Sequence, residues 1–332
     1  MVYIYKKIIK EKPYYYLRAS QKKGKKIITK DIAYLGNNIN DVKKELDKLT
    51  KYKGEIRKAY RKISRVLELN YYLEKVNILK LKKDKFLQNK QIPIEACKTH
   101  FNKVFKKLDN LTKKEIYKDF LIDFAYNTTS IEGNTIGLDQ VRNLLEEGMT
   151  PQNKTLREIY DLQNHEKVFF DIIESGREIS HDLIIDIHKD LMENIDKRIG
   201  YRITDNRVVR RRFKSTPGRF VKTDMDLFMK WYSKNKGKLH PVVLAIIFHH
   251  KFEKIHPFSD GNGRTGRMLM NYILMKNNYP PLIVHNKTRM QYIEALGDAD
   301  KSKPNENEKK DYNSIIEYIS DEMINYYWDF FL

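Results

Sequence analysis

The run His256-Pro257-Phe258-Ser259-Asp260-Gly261-Asn262-Gly263-Arg264-Thr265-Gly266-Arg267 constrains this chain more than any other stretch. Upstream, Pro241 to Phe248 opens a helix that reads as buried, with proline near its first position, where a missing N–H has no helical partner to lose. Downstream, Arg264 to Lys276 reads as a second helix, with Met268, Leu269, Tyr272, Ile273 and Met275 on one side. The glycines between them form a turn running into a helix N-terminus, where unpaired N–H groups and the helix dipole favour an anion. Two arginines in that first turn run against the dipole, which disfavours cations there by a few tenths to ~1 kcal/mol. Arg264 and Arg267, at i and i+3, also share a face and repel each other. A polyanion at the turn removes both penalties, and a nucleoside triphosphate is the obvious candidate.

The segment resembles the signature of Fic-domain proteins, His-Pro-Phe-x-Asp/Glu-Gly-Asn-Gly-Arg-x-x-Arg, and matches it at every defined position. The resemblance implies transfer of AMP from ATP to a hydroxyl side chain of a target protein, with release of pyrophosphate. A Ser, Thr or Tyr hydroxyl must lose its proton as it attacks the α-phosphorus, and His256 is the expected acceptor, since an imidazole titrates near neutrality. Asp260 would offer a hard oxygen to Mg²⁺. Gly261, Asn262 and Gly263 would line an anion hole for the α- and β-phosphates, and Arg264 and Arg267 would hold the β- and γ-phosphates. By the same resemblance Tyr292, Leu296 and Asp300 line an adenosine pocket.

A second segment lies far upstream. Thr128, Glu132 and Gly133, within Tyr126 to Asn134, resemble the inhibitory motif Ser/Thr-x-x-x-Glu-Gly/Asn of many Fic proteins. The resemblance pairs Glu132 with Arg267 across the γ-phosphate site and so implies autoinhibition. It also leaves a role for the same glutamate in aligning a water to remove AMP.

The N-terminal region reads differently. Val2 to Ile9, Tyr14 to Ser20 and Lys26 to Leu35 are rich in aromatic and β-branched residues, and Lys12-Pro13 and Lys23-Gly24 separate them as turns. Ile39, Val42, Leu46 and Leu49 then give an amphipathic helix to cover the sheet. Residues 1–60 hold 17 Lys/Arg against 6 Asp/Glu, out of a net charge of +20 for the whole chain. That asymmetry points to a nucleic-acid contact or another acidic partner, although lysine is also the ordinary solvated residue of a Lys-, Ile- and Asn-rich chain.

From about Glu55 the pattern is helical. Thr112 to Glu115 reads as a capping box for a helix leading into the inhibitory motif, and Ser180 caps another that carries His188 as a packed core histidine. His249 and His250 are adjacent and lack the i, i+4 spacing of a helical zinc site, which excludes zinc. Asp205 to Arg212 reads as a polar hairpin, and the resemblance makes it a flap that pairs with the target by strand addition at Val208 and Val209.

The expected architecture is mainly α: a Fic-type helical bundle with a short β-hairpin flap, preceded by a small antiparallel sheet and helix. Residues 1–54 form that basic module, 55–108 a helical linker, and 109–332 the Fic domain. The inhibitory helix is expected near 127–134 and the catalytic core at about 154–300. A lone cysteine, Cys97, excludes a disulfide framework. No apolar run reaches the ~20 residues of a membrane helix and no signal-peptide layout opens the chain, so a cytoplasmic location without membrane contact is expected. The expected partner is a protein bearing the acceptor hydroxyl, with homo-oligomerisation left open. Two rivals remain: transfer of UMP, GMP or phosphocholine on the same scaffold, and a DNA-binding regulator using the basic module.

Overall fold

The computed structural model describes residues 1–10, 12–24, 26–205 and 214–332. The expected hairpin with Val208 and Val209 falls on the remaining residues and lies outside that description. The chain divides into two compact units, residues 1–82 and 83–331.

In the first unit, β1 (Val2–Ile9), β2 (Lys12–Lys23) and β3 (Lys26–Gly36) form an antiparallel sheet in that order. β2 runs longer than its apolar core suggests, because the pairs Ile9↔Lys12 and Lys23↔Lys26 carry the ladder to both turns. Alternation sends Val2, Ile4, Tyr15, Leu17 and Leu35 to one face. There they pack with Ile39, Val42 and Leu46 of α1 (Ile39–Asp47), and, after the short α2 (Lys53–Lys58), with Ile63 and Leu67 of α3 (Tyr60–Asn77). Asn38 starts α1 by accepting the Asn40 N–H at 2.9 Å.

The second unit is helical: α4 (Gln91–Lys103), α5 (Asn110–Glu132), α6 (Leu138–Glu147), α7 (Leu156–Ser175), α8 (His181–Leu191), α9 (Val221–Asn235), α10 (Pro241–Ile255), α11 (Asn262–Lys276), α12 (Arg289–Ala299) and α13 (Lys309–Phe330). Helices α10 and α11 form its centre. Every residue from Val242 to Glu253 and from Asn262 to Leu274 is buried, as expected for helices walled in on all sides. Around α11 stand α5, α7, α8 and α10. The expected cap at Thr112 is corrected. Helix α5 begins three residues earlier, where the Asp109 carboxylate accepts both the N–H (2.9 Å) and the hydroxyl (2.7 Å) of Thr112. Among the described residues no helix is long and apolar enough to cross a membrane.

Candidate active site

His256 ends α10 in the left-handed conformation, φ 55° and ψ 61°, which a residue with a Cβ adopts only under constraint. Two hydrogen bonds to Arg202 supply that constraint. Its Nε donates to the His256 carbonyl at 2.7 Å, and its backbone N–H to the Pro257 carbonyl at 2.8 Å. The same guanidinium donates to the carbonyls of Thr204 (2.8 Å) and Thr216 (2.6 Å). Burial lowers the Arg202 pKa, partly opposed by Asp205.

The turn after His256 is held from inside. Phe258 stacks flat on His188 of α8, with centroids 3.6 Å apart and an interplanar angle of 7°. Nε2 of His188 lies 3.0 Å from the Asp260 carbonyl; a carbonyl only accepts, so this nitrogen carries the proton. Burial holds His188 down to about 4 against the opposing pull of that hydrogen bond, so the ring is neutral at pH 7. The Asn262 side chain closes the turn, accepting from the Phe258 N–H and donating to the Phe258 carbonyl, both at 2.8 Å. Gly261 takes φ 75°, and a Cβ there would meet Met192 Sδ at 2.6 Å.

Both arginines at the start of α11 are 2% exposed. Arg264 pairs through Nη1 with Asp161 of α7 and through Nη2 with Asp260 Oδ1 at 3.2 Å. Burial lowers its pKa to about 10, with Glu132 opposing, and it stays charged at neutral pH. Arg267 faces α5, donating through Nε to Thr128 Oγ1 (2.7 Å) and through Nη2 to the Thr128 carbonyl (2.9 Å) and Glu132 Oε1 (2.8 Å). Burial alone would lower the Arg267 pKa, but Glu132, Tyr292 and Glu253 together outweigh it and the value is raised.

Glu132 is the last residue of α5, and Gly133 caps the helix at φ 107°. Its carboxylate lies over the N-terminus of α11: a Cβ on Gly263 would come within 2.1 Å of Glu132 Oε1. The chain beyond is moored to α7. Asn134 Nδ2 donates to the Glu158 carbonyl at 2.9 Å, and the Glu158 carboxylate accepts from the hydroxyl (2.7 Å) and N–H (3.0 Å) of Thr135. Bonds to its carboxylate, led by the Thr135 hydroxyl and then the Thr155 N–H at 3.1 Å, bring Glu158 down to about 2. Arg289 adds a bond to the Ile131 carbonyl at 2.9 Å.

Thus the fold brings His256, Asp260, Gly261, Asn262, Gly263, Arg264 and Arg267 together with Thr128, Glu132 and Gly133, although 122 residues lie between Gly133 and His256. Tyr292, expected beside the nucleotide, is 2% exposed, with its hydroxyl 2.6 Å from His249 Nε2 and interacting with Arg267. Leu296 is equally buried, and Asp300 meets His250 Nε2 at 3.0 Å. Among the described residues no group of three or more His, Cys, Asp or Glu is placed to hold a metal. Asp260 offers one partly exposed carboxylate, whose Oδ2 pairs with Arg157. A single carboxylate suits Mg²⁺, which is typically bound by one or two together with phosphates and waters.

Comparison with known proteins bears on the same part of the chain. Residues 178–274, spanning α8 to the start of the C-terminal turn of α11, match the model of the Fic/DOC family. This region is a Fic domain. The chain is 33% identical over 179 residues to protein adenylyltransferase fic-1 of Caenorhabditis elegans, covering 52% of this chain and 35% of that protein. It is 34% identical over 189 residues to protein adenylyltransferase Fic of Drosophila ananassae, covering 55% and 37%. The chain therefore spans little more than a third of the length of these relatives. Among solved structures, residues 134–508 of Fic-1 from C. elegans superpose with a TM-score of 0.61 at 23% identity, covering 90% of this chain and 88% of that one. A Fic-domain signalling protein from Bacteroides thetaiotaomicron gives 0.64 at 23%, covering 71% and 95%. At that identity the likeness shows a shared Fic fold.

Sequence reasoning missed Arg157, Asp161 and Arg202, and read His188 as packing alone. One signal pointed to Asp161. It lies among Leu162, His165, Val168 and Phe169 on the buried side of α7, where a lone carboxylate demands a partner.

Proposed function

We propose that this Fic domain transfers AMP from ATP to a Ser, Thr or Tyr hydroxyl of a target protein, and that Glu132 holds it in a low-activity state. The observation that carries the reading is the Glu132 carboxylate itself, 2.8 Å from Nη2 of Arg267 and poised over the first turn of α11. An anion already occupies the position that the helix dipole and two buried guanidiniums favour for one. The terminal phosphates of ATP compete for the same cations, so productive binding requires Glu132 to leave. The names carried by the relatives supply the chemistry: a protein adenylyltransferase uses ATP and a protein acceptor.

In this reading His256 accepts the proton of the attacking hydroxyl, and the Arg202 bonds aim its ring at the turn. Backbone N–H groups of the Gly261–Gly263 turn receive α- and β-phosphate oxygens, with Asn262 bracing that turn through both of its bonds to Phe258. Arg264, held by Asp161, and Arg267, freed from Glu132, neutralise the leaving pyrophosphate. Asp260 would hold Mg²⁺ once Arg157 gives up its outer oxygen; the ion would neutralise phosphate charge. Tyr292 supports Arg267 beside the nucleotide site, and the stretch between Thr204 and Thr216, with Val208 and Val209, receives the target.

The test is labelling with ATP that carries its label on the α-phosphate. Glu132→Gly should raise transfer to the protein itself or to proteins of an extract, and His256→Ala should abolish it. Equal, weak labelling by wild type and Glu132→Gly alongside strong labelling from a UTP, GTP or CDP-choline donor would replace the AMP assignment.

A further inference from the structure

The first unit carries a surface that the reaction at α11 does not use. Strand pairing sets Tyr5 opposite Tyr16 and Tyr16 opposite Tyr34, with Tyr3 opposite Arg18 and Lys7 opposite Tyr14. All lie on the sheet face away from α1 and α3, because their neighbours Val2, Ile4, Tyr15, Leu17 and Leu35 fill the other face. The result is a patch of five tyrosines: Tyr34 is 53% exposed and Tyr3, Tyr5, Tyr14 and Tyr16 are partly so. Tyr34 bridges two of them, its ring centroid 5.3 Å from that of Tyr16 and 6.3 Å from that of Tyr14. The Arg18 guanidinium lies 3.5 Å from the Tyr5 ring centroid. Cross-strand aromatic pairs do stabilise a sheet, but one or two serve that purpose, and solvent-facing positions ordinarily go to polar residues.

The charge around the patch is one-sided. Residues 1–36 contain ten Lys/Arg and two Asp/Glu, and one of those acids, Asp31, is taken by Arg18 at 2.6 Å. On β2 the alternation that exposes Tyr14, Tyr16 and Arg18 also puts Lys12 and Lys22 on the same face at opposite ends, about 33 Å apart at ~3.3 Å per residue. A cluster of partly exposed rings in the middle with ammonium groups at both ends matches one ligand chemistry: a flexible polyphosphate strand whose bases are free to stack.

We propose that this face binds single-stranded nucleic acid. Tyr16 and Tyr34 stack on bases, and Lys7, Lys12 and Lys22 neutralise phosphates. Duplex does not fit the proposal, because its bases already stack on each other and present no face to a tyrosine. An acidic polypeptide offers the charge without the rings.

The experiment uses the full chain and the anisotropy of fluorescein-labelled oligo-dT and oligo-U strands of about 12 nucleotides, within the usual site size of a stacking platform. At about 50 mM salt, binding should appear and weaken steeply as salt rises. Tyr16→Ala and Tyr34→Ala should each weaken it on the order of 5- to 150-fold, the usual range for loss of one base–aromatic stack. Tyr16→Phe and Tyr34→Phe keep the ring and should restore binding, which separates lost stacking from a damaged sheet. The proposal is overturned if neither strand binds at low salt, if the alanine variants bind like wild type, if the phenylalanine variants fail to rescue, or if a duplex of equal length or polyglutamate binds as tightly.

Discussion

Arg202 holds the carbonyl of His256 at 2.7 Å and, with the same guanidinium, the carbonyls of Thr204 and Thr216. The turn that aims the imidazole and both ends of the segment between 204 and 216 therefore share one buried cation. Arg202→Lys keeps the charge but replaces a planar fork by a single ammonium. Target labelling should fall about 10- to 100-fold, the scale expected from misplacing a reacting group by about 1 Å. ATP affinity, measured by calorimetry, should change little. Unchanged labelling would mean that the left-handed turn at His256 holds without the clamp.

Glu132→Gln keeps the shape of the side chain proposed to inhibit and removes its charge. The Arg267 guanidinium lies within the fold while the Glu132 carboxylate is 37% exposed, so salt screens the pair in part. ATP should bind on the order of tenfold more tightly, a difference of about 1.4 kcal/mol. Labelling should rise less than in Glu132→Gly, because the amide oxygen still accepts from Arg267. Titration of nucleotide into the three proteins gives the order directly.

Asp161→Ala should cost stability. It leaves the buried Arg264 without its α7 partner, and breaking such a pair costs about 3–5 kcal/mol. The melting temperature should drop by roughly 6–10 °C, at about 2 °C per kcal/mol for a unit of this size. Asp161→Asn retains an acceptor and should lose less. Saturating ATP should recover part of the loss in the alanine variant, since phosphates supply the missing anion.

Acid should destabilise the helical unit through its buried imidazoles. Burial holds His100 down to about 4 and His165 down to about 3, while unfolded imidazoles protonate near 6.5. Between these values the unfolded chain binds more protons. Stability present above pH 6.5 is therefore lost as pH falls toward 4, at up to ~1.4 kcal/mol per pH unit for each group. Asp123 and Glu166, whose carboxyl pKa values burial raises, pull the other way at the acid end of this window. Melting temperatures measured from pH 7 to 4.5 should fall, and His100→Gln should flatten the slope.

The grouping of side chains at the start of α11 was legible because its residues are contiguous, and the pairing of Glu132 with Arg267 because a recognisable motif carries it. The helices around it were legible from periodicity and caps, as at Ser180, which accepts the Leu183 N–H at 3.2 Å. Arg202 was not legible. It acts on backbone carbonyls, which every residue possesses, so no spacing in the sequence marks its partners. Arg157 and Asp161 reach the turn from α7, about a hundred positions away, and only the packing of α7 on α11 brings them there. The start of α5 was misread for a local reason: Thr112 resembles a cap, but the aspartate three residues earlier takes its N–H and hydroxyl together.

On the proposed function, the absent side chain at Gly263 limits how restraint by Glu132 can be lost by mutation. Any larger residue there would collide with Glu132 Oε1 and push it away, but its own Cβ would then fill the seat the phosphates need. On that reading a lesion at this position frees the site from Glu132 and blocks it in one stroke. A genetic selection for hyperactive alleles should therefore recover changes at Glu132 and its neighbours on α5, and none at Gly263.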